Sequence, residues 1–176
     1  MNRTQNAAGF TLIELLVVVA TIGILSAIAM PALQRARMSG NEASAIATLR
    51  ALATAQSTYA AVAGKGGFAV RLSTLATPCP GNTSGFISPD LSSDPSTKSG
   101  YSVTLAVSAS ASPGQPDCNG TVTQSAYYAA ATPVSTGVTG MRAFATSPSG
   151  SIFFNATGVP PTEAQMASGG GGMTLK

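Results

Sequence analysis

Between Phe10 and Leu33 the chain is apolar almost without a break, and the one charge in that run is Glu14. A helix of about 20 such residues spans the hydrocarbon core of a bilayer. A carboxylate at that depth costs roughly 2.5 kcal/mol or more and persists where a partner neutralises it. The run therefore demands an apolar environment on all sides and a specific partner for Glu14.

Beyond the run, the pattern turns amphipathic. Ile46, Leu49, Ala53 and Ala60 fall on one stripe with Leu52 and Tyr59 beside it, while Arg50, Thr54, Ser57 and Thr58 fall elsewhere. That is a helix with one face on a core. Gly64-Lys65-Gly66-Gly67 is a strong stop. A helix over 10–63 would be about 80 Å long, too long for a domain of this size to bury. Its first half, 10–33, belongs in a membrane or among other copies of the chain. Gly23 and Pro31 interrupt it, and Pro31 is expected to kink or loosen the helix. Arg3 precedes the run, so that side is expected to be cytoplasmic. Arg35 and Arg37 follow it, where basic side chains meet lipid headgroups. Together with Glu42 they read as a solvated or headgroup-facing stretch, with pairing between subunits as the sharper alternative.

The other residues describe a small, loop-rich domain. The 176 residues give room for one domain, only 9% of them are charged, and there are 19 Gly and 11 Pro. Residues 68–99 form a long connection with a short helix or strand in Phe68–Leu75. Period-two alternation marks Tyr101–Val107 as a strand. Thr121–Thr132, Met141–Thr146 and Ser151–Phe154 read as three more, with Ser147–Gly150 as a hairpin loop. The aromatic residues read as packing. Residues 156–176, with Gly169–Gly172 in a row, read as a flexible tail. The expected fold is α+β: a long N-terminal helix packed on a small antiparallel sheet of about four strands.

Several functions are disfavoured by composition. There is no histidine, which removes histidine-based triads and metal sites. Net charge is +3, but no basic stripe with interleaved aromatics exists, so no nucleic-acid partner is expected. Cys79 and Cys118 lie in Pro/Gly-rich loops and favour one disulfide in an oxidising compartment over a metal pair; two unpaired thiols are the plain alternative. Asp90 and Asp94 are adjacent candidates for calcium, which needs several clustered oxygen ligands, but the C-terminal region has only Glu163. No cofactor is expected, and no catalytic residue is assigned.

The stretch from Arg3 to about residue 40 resembles the type IV pilin family, including the pseudopilins of type II secretion. The residues that carry it are a short basic leader ending in Gly9, then Phe10, then Glu14 as the fifth residue after Gly9, then the apolar helix. Less specifically, Gly100-Tyr101, Tyr127-Tyr128 with Ala131-Thr132-Pro133, and Gly140-Met141-Arg142-Ala143-Phe144 are similar to pilin head domains. The resemblance implies a leader over 1–9, a helix over 10–63, a head over 64–155 and the tail. It implies cleavage between Gly9 and Phe10 by a membrane-embedded prepilin peptidase, and N-methylation of Phe10. Gly23 and Pro31 match helix-breaking positions, where the helix opens inside the filament. A Cys79–Cys118 bridge departs from the best-known pilins, whose bridge staples a C-terminal loop.

Cleavage would free an amine four residues before Glu14. In one chain, or between a new subunit and one already in the filament, ammonium and carboxylate would neutralise each other. The implied protein is not an enzyme but the substrate of one. It is a structural subunit of a type IV pilus filament, inserted in the bacterial inner membrane, then moved into an extracellular pilus or periplasmic pseudopilus. Its partners would be other copies of itself, the peptidase and an inner-membrane assembly platform. A pseudopilin or minor pilin is the alternative, and a non-polymerising membrane-anchored binding domain is a third. Adhesion, motility, DNA uptake and secretion are all open.

Overall fold

The computed structural model describes residues 9–168 and 173–175. It contains two compact units, Met1–Ala36 and Arg37–Lys176. Helix α1, Leu12–Val62, runs through the boundary between them.

In the first unit α1 is apolar all round. Ile28 is 70% exposed and Leu25 67%. An 18-residue window of this helix has a mean hydropathy of 2.5 and is 0% buried. A helix with this surface suits lipid or other helices rather than water. The expected interruption is absent: α1 continues through both Gly23 and Pro31. One proline removes one backbone donor, and the intact bonds of the turns on either side keep the segment helical.

In the second unit α1 presents a single face to a core. Ala45, Leu49, Leu52, Ala55 and Tyr59 are buried at helical spacing. This face lies about one residue away from the stripe read from sequence, since Ala53 and Ala60 are only half-buried. In an alanine-rich helix hydrophobicity locates the face coarsely, and the large residues Leu49, Leu52 and Tyr59 decide it.

The sheet opposite this face has six strands. They are β1 (Ser96–Lys98), β2 (Tyr101–Val107), β5 (Tyr127–Pro133), β6 (Ala143–Thr146), β7 (Ile152–Asn155) and β8 (Met173–Leu175), in the spatial order β1-β2-β5-β6-β7-β8. All neighbours are antiparallel. Along β2, Tyr101, Val103 and Leu105 are buried in the same cluster as α1, as are Tyr127, Ala129 and Ala131 of β5. The four expected strands account for β2, β5, β6 and β7, and a short edge strand extends the sheet on each side. The segment Thr121–Thr132 is divided: β4 (Val122–Gln124) pairs instead with β3 (Pro113–Pro116) in a separate ribbon. Ser125 and Ala126 are where the chain changes partner, Ser125 bonding to Ser112 and Ala126 to Ser108.

The far face of the sheet is covered too. Helix α3, Glu163–Ser168, lies in the segment expected as a tail. Its Met166 is buried with Ala145 and Phe153. Strand β8 pairs with β7 through backbone bonds, which leave no side-chain signature in sequence. The Gly169–Gly172 run lies outside the described residues.

The long connection after α1 is tied down. It contains α2 (Leu72–Ala76) and a single 3-10 turn, Pro89–Leu91. Cys79 and Cys118, 39 positions apart in sequence, are disulfide-bonded with their Cα atoms 5.5 Å apart. Closing a loop of that size constrains the unfolded chain by about 2–4 kcal/mol. Reduction is therefore expected to lower the unfolding free energy of the full-length protein in detergent by that amount. Denaturant melts with and without reductant measure it, and coincident curves would contradict it.

Candidate functional site

Gly9 and Phe10 precede α1 outside any helix or strand and are exposed, Phe10 being 89% exposed. Thr11 and Glu14 then form a reciprocal pair that starts the helix. The N–H of Glu14 donates to Thr11 Oγ1 at 3.3 Å. In return Glu14 Oε2 accepts from the Thr11 N–H at 2.9 Å and from the Thr11 hydroxyl at 2.7 Å. This is a capping box, which satisfies backbone donors that the first turn leaves unpaired. In the uncut chain the partner of Glu14 is thus Thr11. Sequence reasoning passed over Thr11, although Thr-x-x-Glu before an apolar run is the pattern that marks such a box.

Further along, three polar side chains on α1 fasten the helix to the second unit. The first, Glu42, departs from the solvated stretch expected with Arg35 and Arg37: the two arginines are exposed, but Glu42 is only 7% exposed. Its Oε1 accepts from the backbone N–H of Met141 at 2.9 Å and of Arg142 at 3.1 Å. Its Oε2 accepts from Arg142 Nε at 2.7 Å, with Arg142 Nη2 at 2.6 Å. Beside it, Asn41 donates to the carbonyl of Thr139. The guanidinium of Arg142 lies over the rings of Phe144 and Phe154, 5.7 and 5.2 Å from their centroids. The second, Gln56, is fully buried and pairs with both backbone groups of Ala69. The third, Tyr59, donates to Asp117 Oδ2 at 2.7 Å. Burial first, then the bond to Asp117, pushes the Tyr59 hydroxyl well above its ordinary pKa. Asp117 Oδ1 also accepts from the N–H groups of Asn119 and Thr121, shaping the turn that carries Cys118.

The two aspartates considered for calcium serve other ends. Asp90 pairs with Lys98 at 2.6 Å. Asp94 accepts from the N–H groups of Leu72 and Ser73 and so caps α2. Among the described residues no group of three or more metal-ligating acidic or cysteine side chains forms.

A long apolar N-terminal helix followed by an antiparallel sheet packed on its second half is an α+β arrangement consistent with the pilin fold. Residues 4–30 match the family model described as the prokaryotic N-terminal methylation motif, the signature of type IV pilin and pseudopilin precursors. No solved structure matches the chain. The motif and the long apolar helix near the N-terminus, one such helix among the described residues, fit a membrane-anchored precursor.

The Glu42 clamp has a pH signature. Burial pushes its carboxyl up, but the N–H donors of Met141 and Arg142 and the Arg142 guanidinium outweigh burial and hold it below the usual value. A depressed carboxyl contributes stability above its unfolded pKa, about 4.3, and loses it as pH falls through the lower folded value. The Glu42→Gln variant is expected to be less stable at neutral pH and to converge on the parent as pH drops below about 4. Thermal melts across that range measure the difference; a constant gap would contradict the assignment.

Proposed function

We propose that this chain is the precursor of a structural subunit in a type IV pilus-type filament. The observation that carries this reading is Glu14, the one carboxylate in the exposed apolar run Phe10–Leu33, set in the first turn of α1 five residues after Gly9. Cleavage by a prepilin peptidase between Gly9 and Phe10 would turn a peptide nitrogen into an ammonium, which N-methylation leaves charged. That ammonium competes with Thr11 for Glu14 and, being ionic, makes the stronger bond. It can pair within its own chain or with Glu14 of a neighbour, and the second choice sets the axial register of a filament.

Energetics favour Glu14 as the deciding group. Moving an apolar helix from lipid into a bundle of like helices gives no hydrophobic gain, since lipid tails are as apolar as leucine. An unpaired carboxylate in lipid costs roughly 2.5 kcal/mol or more, and pairing in the bundle relieves that cost. Extraction from the membrane then has a direction. Gly23 and Pro31 are the positions where α1 would open in the assembled state, since Pro31 already lacks one backbone bond. Residues 1–9 serve as the leader, and copies of the chain, the peptidase and an inner-membrane platform are its partners. A pseudopilus of type II secretion uses the same processing and pairing.

Two measurements test this reading. Mass spectrometry of the native protein should find a mature chain beginning with methylated Phe10; an intact N-terminus on the mature protein would refute it. Glu14→Ala should insert in the membrane at normal levels and reduce filament incorporation at least tenfold, as a loss of about 1.4 kcal/mol or more requires. Normal assembly of that variant would remove the pairing mechanism while leaving the processing intact.

A further inference from the structure

The second unit contains a cavity of about 410 Å³ where the connection after β2, the turn between β6 and β7, and α3 meet. Ser108, Ser110, Ser147, Ser149 and Ser151 line it. The hydroxyls of Ser108 and Ser110 lie 3.1 Å apart, and those of Ser147 and Ser149 3.2 Å apart. A hydroxyl donates one bond and accepts two. Each linked pair therefore keeps one hydroxyl donor not used within the pair and some acceptor capacity, after the Ser110 and Ser151 N–H groups have donated to Ser108 Oγ and Ser149 Oγ. Phe153 and Met166, both buried, supply an apolar floor.

Glu163 completes the wall. Its Oε2 accepts from the N–H of Ala109 at 2.7 Å, and no cation pairs with it among the described residues. The other described carboxylates, Glu14, Glu42, Asp90, Asp94 and Asp117, each hold an ion pair or at least two donors. Within the second unit Glu163 thus keeps an acceptor oxygen without an ion-pair partner, and no lysine or arginine among the described residues lines the cavity to offset its charge.

We infer that this cavity binds a small polyhydroxylated ligand carrying a protonated amine, an amino sugar by chemical class. The ammonium pairs with Glu163. The sugar hydroxyls exchange bonds with the serine hydroxyls, which match them as both donors and acceptors. The C–H face of the ring lies on Phe153 and Met166. The volume falls within the range of small-ligand sites, about 300–1,000 Å³, and an apolar floor with a few convergent polar groups is their usual lining. Negatively charged ligands are repelled by Glu163.

The test is titration of the full-length, isotope-labelled protein in detergent micelles, read by amide chemical shifts. The probes are glucosamine, glucose and methylammonium. Glucosamine should shift the amides of Ser110, Ser149 and Ala167 saturably. Glucose and methylammonium, each lacking half of the recognition, should bind roughly tenfold more weakly or less well still. Glu163→Gln should abolish the preference for glucosamine over glucose. Ser149→Ala, on an exposed turn, should weaken both sugars and leave methylammonium unchanged, with the remaining spectrum intact in either variant. Absence of shifts at millimolar glucosamine overturns the proposal, as does unchanged glucosamine binding by Glu163→Gln. Equal binding of methylammonium overturns the sugar class, and equal binding of glucose overturns the role of the charge. The measurement uses the unassembled protein, so it stands apart from the filament reading.

Discussion

One continuous helix in this chain has to satisfy two different surroundings. Over Leu12–Leu33 it exposes large apolar side chains on every side, and over Ala45–Tyr59 it buries one face against a sheet. No change of backbone marks the transition, since α1 remains helical from Leu12 to Val62. The switch is made by side chains alone. The sheet and the long disulfide-bonded connection enclose one face of the second half of α1, and α3 covers the sheet's other face.

Polar contacts decide how the enclosed half is seated. Glu42, Gln56 and Tyr59 on α1 reach Met141 and Arg142, Ala69, and Asp117 respectively. Each contact joins α1 to a segment with irregular backbone. Leucine and alanine against a sheet can slide with little loss, because apolar contact is non-directional. A carboxylate that needs two particular N–H groups cannot slide, and leaving it unpaired when buried is expensive. These contacts therefore contribute registry more than net energy, as buried ionic and polar pairs often do.

Legibility in the sequence varied with the physical signal. Strand β2 was clear because Tyr101, Val103 and Leu105 alternate with polar residues. The edge strand Met173–Leu175 and the proline-bearing Pro113–Pro116 were not, because an edge strand needs only backbone bonds on one side and tolerates proline there. Helix α3 was hidden by its length, six residues being too few for a period of 3.6 to register. At the candidate site Glu14 was plain as a lone charge in an apolar run. Thr11 was missed, although its spacing to Glu14 was visible. Glu42 was misplaced because its neighbours in sequence, Arg35 and Arg37, are exposed, whereas its partners lie about a hundred residues away.

The sequence by itself determined the features that rest on local pattern: an apolar helix too long to bury, one carboxylate near its start, the methylation motif around it, and a polar domain behind. Those depend on composition and spacing along the chain, and no fold is needed to read them. Only the tertiary structure decided that Glu42 is buried and which N–H groups it meets, what Gln56 and Tyr59 bond to, and where serine-bearing turns converge around Glu163. These are contacts between segments far apart in sequence, or choices among competing partners. Distance in space, not order along the chain, settles them.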